Sequence, residues 1–269
     1  MSVVIPSYFA RMRLHFCESN PAPMPSPFVK VVIVIPTYNE RETLPALVAR
    51  IRALGLPNYR MLVVDDNSPD GTGALADELA KEYPLSVIHR PRMEGLGKAY
   101  VQAFTELLRL PSEKQPQYVI QMDADLSHDP ADIPRLLETA VSCDVALGSR
   151  YVRGGRIEQW DFFRRCISRF GNLYARTLLR LPYRDLTGGY KCFRLEVLRK
   201  LTLETISSTG YNFQIEMTYF AHRKGFRVCE IPIVFTERKT GASKFNLAIV
   251  LESFWKVFVL RLASAPIGR

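Results

Sequence analysis

Residues 29–36, VKVVIVIP, form a nearly continuous apolar and β-branched run. A strand buried on both faces of a parallel sheet has this pattern. Leu44, Leu47, Val48, Ile51 and Leu54 then recur at helical spacing, and MLVV at 61–64 predicts a second strand. Asp70, Gly71 and Thr72 supply turn and cap chemistry ahead of a helix carrying Leu75 and Leu79. Leu85 to His89 reads as a short strand, Gly95 to Leu108 as a turn plus a helix, and Tyr118 to Met122 as another strand. A helix from Asp132 to Val141 leads into a strand at Asp144–Leu147. Strands alternate with helices, which predicts βαβ units: an α/β fold, Rossmann-like, with a mostly parallel sheet and helices on both faces. No internal repeat is visible.

The order changes beyond residue 150. A glycine-containing loop is expected over 153–160, a long helix over 162–181 and a strand from Gly188 to Phe193. A helix from Tyr211 to Arg223, a strand from Phe226 to Phe235 and a terminal helix from Asn246 to Ala263 complete the reading. On the 162–181 helix, Arg165, Arg169, Arg176 and Arg180 share one side. Phe163, Ile167, Phe170, Tyr174, Leu178 and Leu181 gather on the other. Such a basic amphipathic helix suits a membrane interface, its apolar side in lipid and its arginines among phosphates; covering the core is the competing use. The terminal helix is strongly apolar, but Glu252, Lys256 and Arg261 interrupt it too often for a membrane span. Docking on the core, lying in the interface and binding a small membrane subunit are all open to it. Residues 1–28, with Pro21, Pro23, Pro25 and Pro27, read as a poorly ordered tail, and Met12 or Met24 are alternative starts. Residues 29–245 then make the folded domain and 246–269 a C-terminal amphipathic helix.

Composition adds a sign. The 269 residues are 47% hydrophobic and 23% charged, ordinary for one globular domain, but 36 Lys and Arg against 27 acidic residues give a formal charge of +9. That excess points to a polyanionic partner: nucleic acid, an anionic membrane or a phosphorylated substrate. No helix-turn-helix, RRM or zinc pattern accompanies it, so no nucleic-acid partner is expected. Cys17, Cys143, Cys166, Cys192 and Cys229 are scattered, without a C-x-x-C pair. They speak against a zinc site or disulfide framework and fit a reducing cytosol.

Candidate chemistry sits where the strands end, and in open parallel sheets ligands lie beyond those carboxyl ends. The first strand runs into Pro36-Thr37-Tyr38-Asn39-Glu40, the second into Asp65-Asp66-Asn67, the one at 118–122 into Asp123-Ala124-Asp125, and the next into Gly148-Ser149-Arg150. Side chains two apart in extended chain point the same way. Asp123 and Asp125 can therefore share one hard divalent cation, Mg²⁺ or Mn²⁺, with diphosphate oxygens in its other positions. Turn residues capping a helix, helped by Asp129-Pro130, are the plainer account of the same pair. Glu40, Asp65 and Asp66 suit hydrogen bonds from a base edge or ribose hydroxyls, with an Asx turn competing at Asp66. Gly95-Leu96-Gly97-Lys98 lacks the full phosphate-loop pattern and reads as a turn into a helix.

Taken in order, Pro36-Thr37-Tyr38-Asn39-Glu40, Val64-Asp65-Asp66, Asp123-Ala124-Asp125-Leu126-Ser127-His128, Gly148-Ser149-Arg150-Tyr151 and Arg238-Lys239-Thr240-Gly241-Ala242-Ser243-Lys244 resemble the signature of the dolichyl-phosphate (polyprenol-monophosphate) mannose synthases, inverting glycosyltransferases of family 2 with the GT-A fold. The resemblance covers residues from about 30 to about 260. It implies transfer of mannose from GDP-mannose to dolichyl or polyprenyl phosphate, on the cytoplasmic face of a membrane. By that resemblance Pro36, Tyr38, Glu40, Asp65 and Asp66 hold the nucleotide, and Asp123 and Asp125 hold the metal and the sugar-bearing diphosphate. Arg150, Arg164, Ser168, Arg238 and Lys244 match positions that grip the acceptor phosphate, and Arg150, Arg238 and Lys244 join the two aspartates as catalytic candidates. Some relatives carry Gln at Ser127 and Lys at Asn212, so neither is given a role. The relatives divide into groups with and without C-terminal membrane helices, and this chain is expected among those without. A polyprenyl-phosphate glucosyltransferase or relative using a UDP-sugar is the alternative.

The residue types suit that reaction. A phosphate monoester has a second pKa of about 6, so it is largely a dianion at neutral pH and needs no strong base. It needs positioning by cations, and the arginine fork meets phosphate oxygens two at a time. His128 is accordingly expected to serve as a loop hydrogen-bonding residue.

Overall fold

The computed structural model describes residues 30–206, 208, 210–237 and 247–263. The tail read over 1–28 and the segment carrying Arg238 and Lys244 lie outside the described residues.

Strand β1, Val31–Thr37, is buried along its whole length, as its unbroken apolar pattern requires. It pairs in parallel with β2, Tyr59–Asp65, and with β4, Tyr118–Gln121, while β3, Leu85–His89, lies outside β2. Strand β5, Val145–Ser149, β7, Lys191–Arg194, and β8, Val228–Pro232, complete a seven-stranded sheet in the order β3-β2-β1-β4-β7-β5-β8. Alternate side chains of β1 feed two cores. Ile33 and Ile35 pack under helix α1, Leu44–Ala53, and α4, Ile133–Ser142; Val32 and Val34 pack under α3, Leu96–Arg109, and α7, Tyr211–Arg223. Helix α2, Thr72–Glu82, joins the first group through Ala76.

The sheet is mostly parallel, but β7 runs antiparallel between β4 and β5. Its first residue, Lys191, is therefore brought level with Gln121 and Leu147, at the end of the sheet where the parallel strands finish. Other details depart from the pattern of the chain. The run from Phe226 to Phe235 is not one strand: it breaks at buried Ile233, and β9, Val234–Thr236, leaves the main sheet to pair with β6, Arg156–Glu158, inside the segment expected to be a loop. A short helix, α6, Leu195–Lys200, follows β7 directly. Cys143 and Cys229 are bonded, their Cα atoms 6.1 Å apart, which corrects the expectation drawn from scattered cysteines. The partners are 86 residues apart, and the parallel register of β5 with β8 places Cys229 level with Ala146 beside the end of α4. Sequence spacing carries no trace of that proximity.

Helix α5, Phe162–Leu179, is capped by Asp161, whose side chain accepts the Arg164 amide at 2.8 Å. The stripe it buries, Asn172, Ala175 and Leu179, is not the apolar side expected from the sequence. Ala175 and Leu179 enter the core and Tyr174 packs edge-on against Phe254 of α8, Leu247–Ala263, with ring centres 4.6 Å apart. Phe162, Phe163, Phe170 and Leu173 are exposed. On α8, Val257 is buried against the core while Trp255, Phe258, Val259 and Leu262 face outward. The helix therefore docks on the core and still presents an apolar face. No helix among the described residues is long and apolar enough to cross a membrane.

Candidate active site

The strand order reverses direction between β1 and β4, and such a switch point opens a crevice beyond the strand ends. Pro36 and Thr37 end β1, and half-buried Tyr38 and Glu40 follow. Asn39 between them takes a left-handed φ of 61°, a conformation asparagine tolerates. Glu40 accepts the Thr43 hydroxyl at 2.8 Å and donates its own amide to the Thr72 hydroxyl at 3.0 Å, which ties the end of β1 to the start of α2.

Both carboxylates of the second strand end are buried and hydrogen-bonded. Asp65 accepts the Thr37 hydroxyl at 3.1 Å, the Ser68 hydroxyl at 2.6 Å and the Ser68 amide at 3.1 Å. The local turn foreseen for Asp66 is thus made by Asp65. Asp66 instead accepts the amides of Glu94, at 3.1 Å, and Gly95, at 2.8 Å, and pairs with buried Arg90. Arg90 is held further by Gln102 and Glu94. Gly95 has φ 95° at the entry to α3, and Lys98 ion-pairs with Glu94. The glycine segment is a turn that serves Asp66.

At the end of β4, Ile120, Met122 and Ala124 point into the core under α1 and α4. The alternation sends Asp123 and Asp125 to the other side. Tyr100 of α3 reports both: buried completely, its hydroxyl pKa is driven well above the ordinary value by desolvation and then by the charges of these two aspartates. Each carboxylate is half-buried. Asp125 accepts the Ser127 amide at 3.1 Å, and Asp129 accepts the Ala131 amide at 2.9 Å ahead of α4. The turn chemistry expected of this segment is therefore present. Ser127 Oγ is buried and makes no hydrogen bond to the protein. His128 is buried, stacked on Tyr190 at 4.7 Å, and accepts the Asp123 amide through Nδ1 at 3.2 Å. Burial lowers its pKa to about 4, so it is neutral at physiological pH and braces the loop.

Arg150 closes the far side. Its guanidinium grips Asp185 with Nε at 2.7 Å and Nη2 at 2.8 Å, and reaches the Thr187 hydroxyl at 2.8 Å. It lies over the rings of Tyr151, Trp160 and Phe235, 5.3–5.7 Å from their centres. Arg164 stacks on Trp160 at 4.1 Å and pairs with Glu237. Ser168 accepts the Tyr151 hydroxyl at 2.7 Å. Arg150, Arg164 and Ser168 are therefore brought to one cationic and aromatic cluster, and the ring of Phe235 connects it to His128. Arg238 and Lys244 lie outside the described residues.

Sequence reasoning missed several members of this site. Asp185, Thr187 and Asn172 brace Arg150: the Asn172 amide donates to Thr187 at 3.0 Å, and its oxygen accepts the Leu186 amide at 2.7 Å. Burial works against the Asp185 carboxylate, but Arg150 outweighs it and holds the pKa below the usual range. Lys191 is fully buried and its ammonium is pushed down to about 7 by burial, with Asp185 opposing. It donates to the backbone oxygen of Gln214 at 2.7 Å and to its side-chain oxygen at 3.0 Å. A buried arginine requires a partner, and that is the one signal that could have prompted a search for Asp185.

Carboxylates and arginines gathered beyond the strand ends at the switch point of an open sheet are the arrangement of an α/β enzyme. The profile of Glycosyl transferase family 2 matches residues 32–202. The chain belongs to that family and is a glycosyltransferase. It is 45% identical over 234 residues to a polyprenol monophosphomannose synthase of Mycolicibacterium smegmatis, covering 86% of each chain. It is 44% identical over 226 residues to an undecaprenyl-phosphate mannosyltransferase of Micrococcus luteus, covering 84% of this chain and 91% of that one. A dolichol-phosphate mannosyltransferase of Pyrococcus furiosus is 37% identical over 247 residues, covering 90% of this chain and 66% of that one. Among solved structures, glucosyl-3-phosphoglycerate synthase of Mycobacterium tuberculosis with Mn²⁺, uridine diphosphate and phosphoglyceric acid superposes with TM-score 0.64 at 16% identity, covering 90% of this chain and 80% of that one. Mannosyl-3-phosphoglycerate synthase of Rubrobacter xylanophilus gives 0.61 at 19% identity, covering 90% of this chain and 76% of that one. These likenesses establish the GT-A-like fold.

Proposed function

We propose that this glycosyltransferase moves mannose from GDP-mannose to the phosphate of a dolichol or other polyprenol, with inversion at the anomeric carbon. The observation that carries the reading is the link from Asp123 through His128 and the Phe235 ring to the Arg150–Arg164–Ser168 cluster, in a chain whose relatives bear polyprenol-phosphate mannosyltransferase names. Pro36, Tyr38, Glu40, Asp65 and Asp66 form the nucleotide end. Asp123 and Asp125 offer oxygen donors only, which fits a hard divalent cation such as Mg²⁺ or Mn²⁺ and leaves positions for diphosphate oxygens. When bound, such a cation offsets the negative charge of the departing diphosphate.

The residues of the chain account for the rest. Arg150 is pre-oriented by Asp185 and Thr187, so little side-chain entropy is lost when its cluster receives a phosphate. Arg164 contributes a second guanidinium, and the sequence adds Arg238 and Lys244 to the same acceptor set. The acceptor phosphate is already a dianion at neutral pH, with a second pKa of about 6, and His128 is committed to Asp123 through Nδ1, so attack proceeds without a histidine base. The exposed apolar faces of α5 and α8, with Arg165 and Arg169 beside them, suit peripheral attachment to the cytoplasmic face of an anionic membrane.

Turnover with short-chain polyprenyl phosphate is the test. GDP-mannose is expected to be consumed in the presence of Mg²⁺ or Mn²⁺, and UDP-glucose is not. Preference for UDP-glucose would replace the mannosyl assignment with a glucosyl one.

A further inference from the structure

Beneath Asp123, on the α3 and α7 side of the sheet, lies a buried amide that the proposed chemistry has not used. Gln214 is 2% exposed. Its side-chain oxygen is taken by Lys191, which fixes which end of the amide points where. Its Nε2 is buried and has no hydrogen-bond partner in the protein. That nitrogen faces the Asp123 carboxylate across Gly189: a Cβ at Gly189 would stand 3.4 Å from Gln214 Nε2 and 3.5 Å from each Asp123 oxygen. An amide N–H left without an acceptor in a buried position bears its full desolvation penalty, which an acceptor arriving from outside would relieve. Gly189 has no side chain, and the position its Cβ would take lies between this fixed donor and the Asp123 carboxylate.

We infer that Gln214 Nε2 donates a hydrogen bond to an oxygen of the bound sugar nucleotide, and that Lys191 is the positioning residue that fixes the amide for this contact. The inference rests on the sugar-nucleotide reading above. The oxygen belongs either to the sugar or to the diphosphate; both offer the same chemistry to the amide. Lys191 acts from below, since its amine has hydrogens for both Gln214 oxygens and lies fully buried, out of ligand reach.

Titrations of GDP-mannose and of GDP, each with Mn²⁺, test the inference on purified protein. Gln214→Glu keeps the size of the side chain and gives Lys191 a better partner, but replaces the donor with an acceptor. It is expected to weaken GDP-mannose binding about tenfold or more while melting near wild type. Unchanged GDP binding assigns the oxygen to the sugar; GDP binding weakened as well assigns it to the diphosphate. Gly189→Ala is the second variant. Its methyl meets the protein only at ordinary van der Waals distance, so it folds, yet it intrudes on the gap and is expected to weaken the same ligand. Lys191→Met is expected to raise KM for GDP-mannose and lower kcat, beyond any loss of melting temperature. Wild-type protein that binds GDP-mannose, with Gln214→Glu and Gly189→Ala binding it equally well, overturns the inference and leaves the proposed function standing. Wild-type protein that binds neither ligand overturns both.

Discussion

Single residues in this site do two jobs, and the jobs separate by burial. Asp123 and Asp125 are half-buried at the end of a strand, where their loss uncovers little apolar surface. Asp125→Ala is expected to lose turnover by orders of magnitude while its melting temperature stays close to wild type; near-normal activity would remove Asp125 from the mechanism. Asp185 is the opposite case. It is completely buried, and its carboxylate is the counter-charge that lets Arg150 lie 5% exposed among three aromatic rings. Asp185→Asn strands that guanidinium and is expected to cost about 3–5 kcal/mol of stability, measured by denaturant unfolding. The sign with pH follows from the lowered folded pKa of Asp185. Its contribution is fully present above the unfolded value of 3.8 and is lost as pH falls through the lower folded value, so the gap between wild type and Asp185→Asn narrows in acid. Asp123 and Asp125 are candidates from the chain alone because they stand two letters apart. Asp185 is not, because its partner is 35 residues away and joined to it only by folding.

Among the elements, β7 and the pair α5 with α8 decide the most. The sequence marks a strand near 188–193, but its direction is a property of the whole sheet. Running antiparallel, it delivers Lys191 and the Gly188–Gly189 turn to the site instead of to the opposite edge. For α5 the chain predicts two faces, basic and apolar, without saying what the apolar one meets. The structure turns a neighbouring stripe, Asn172, Ala175 and Leu179, into the core, so that of the predicted apolar residues Ile167, Tyr174 and Leu178 are only partly buried and Phe163 and Phe170 stay outside. Burying one phenylalanine side chain is worth about 1.5–3 kcal/mol. A Phe163→Ser and Phe170→Ser double variant is therefore expected to lose at least about tenfold in partition to anionic liposomes, measured by flotation, with the melting temperature retained. Flotation equal to wild type would assign the patch to a protein partner instead.

For the whole molecule, the proposed site draws on residues spread along the chain: Pro36 and Asp65 from β1 and β2, the carboxylates after β4, Arg150 after β5, Arg164 on α5 and the Gln214 amide on α7. A ligand that bridges these parts binds the native state alone and stabilises it by mass action. GDP-mannose with Mn²⁺ is expected to raise the melting temperature progressively with concentration, the stabilisation reaching about 2.7 kcal/mol at a hundred times Kd. Chelation with EDTA is expected to remove most of that gain. A gain insensitive to EDTA would mean that the nucleotide binds without the aspartate pair.

Local pattern along the chain was enough for the βαβ alternation and for naming Asp123 and Asp125 as candidates, because apolar periodicity and the two-residue repeat of extended chain are local properties. Tertiary structure alone decided the reversed direction of β7, the departure of β9 from the main sheet, the Cys143–Cys229 bond, the Asp185 brace under Arg150 and the aim of the Gln214 amide. Each of these joins residues far apart in the chain. Which distant groups meet is fixed by how two cores close around one sheet, and no window of sequence contains that closure.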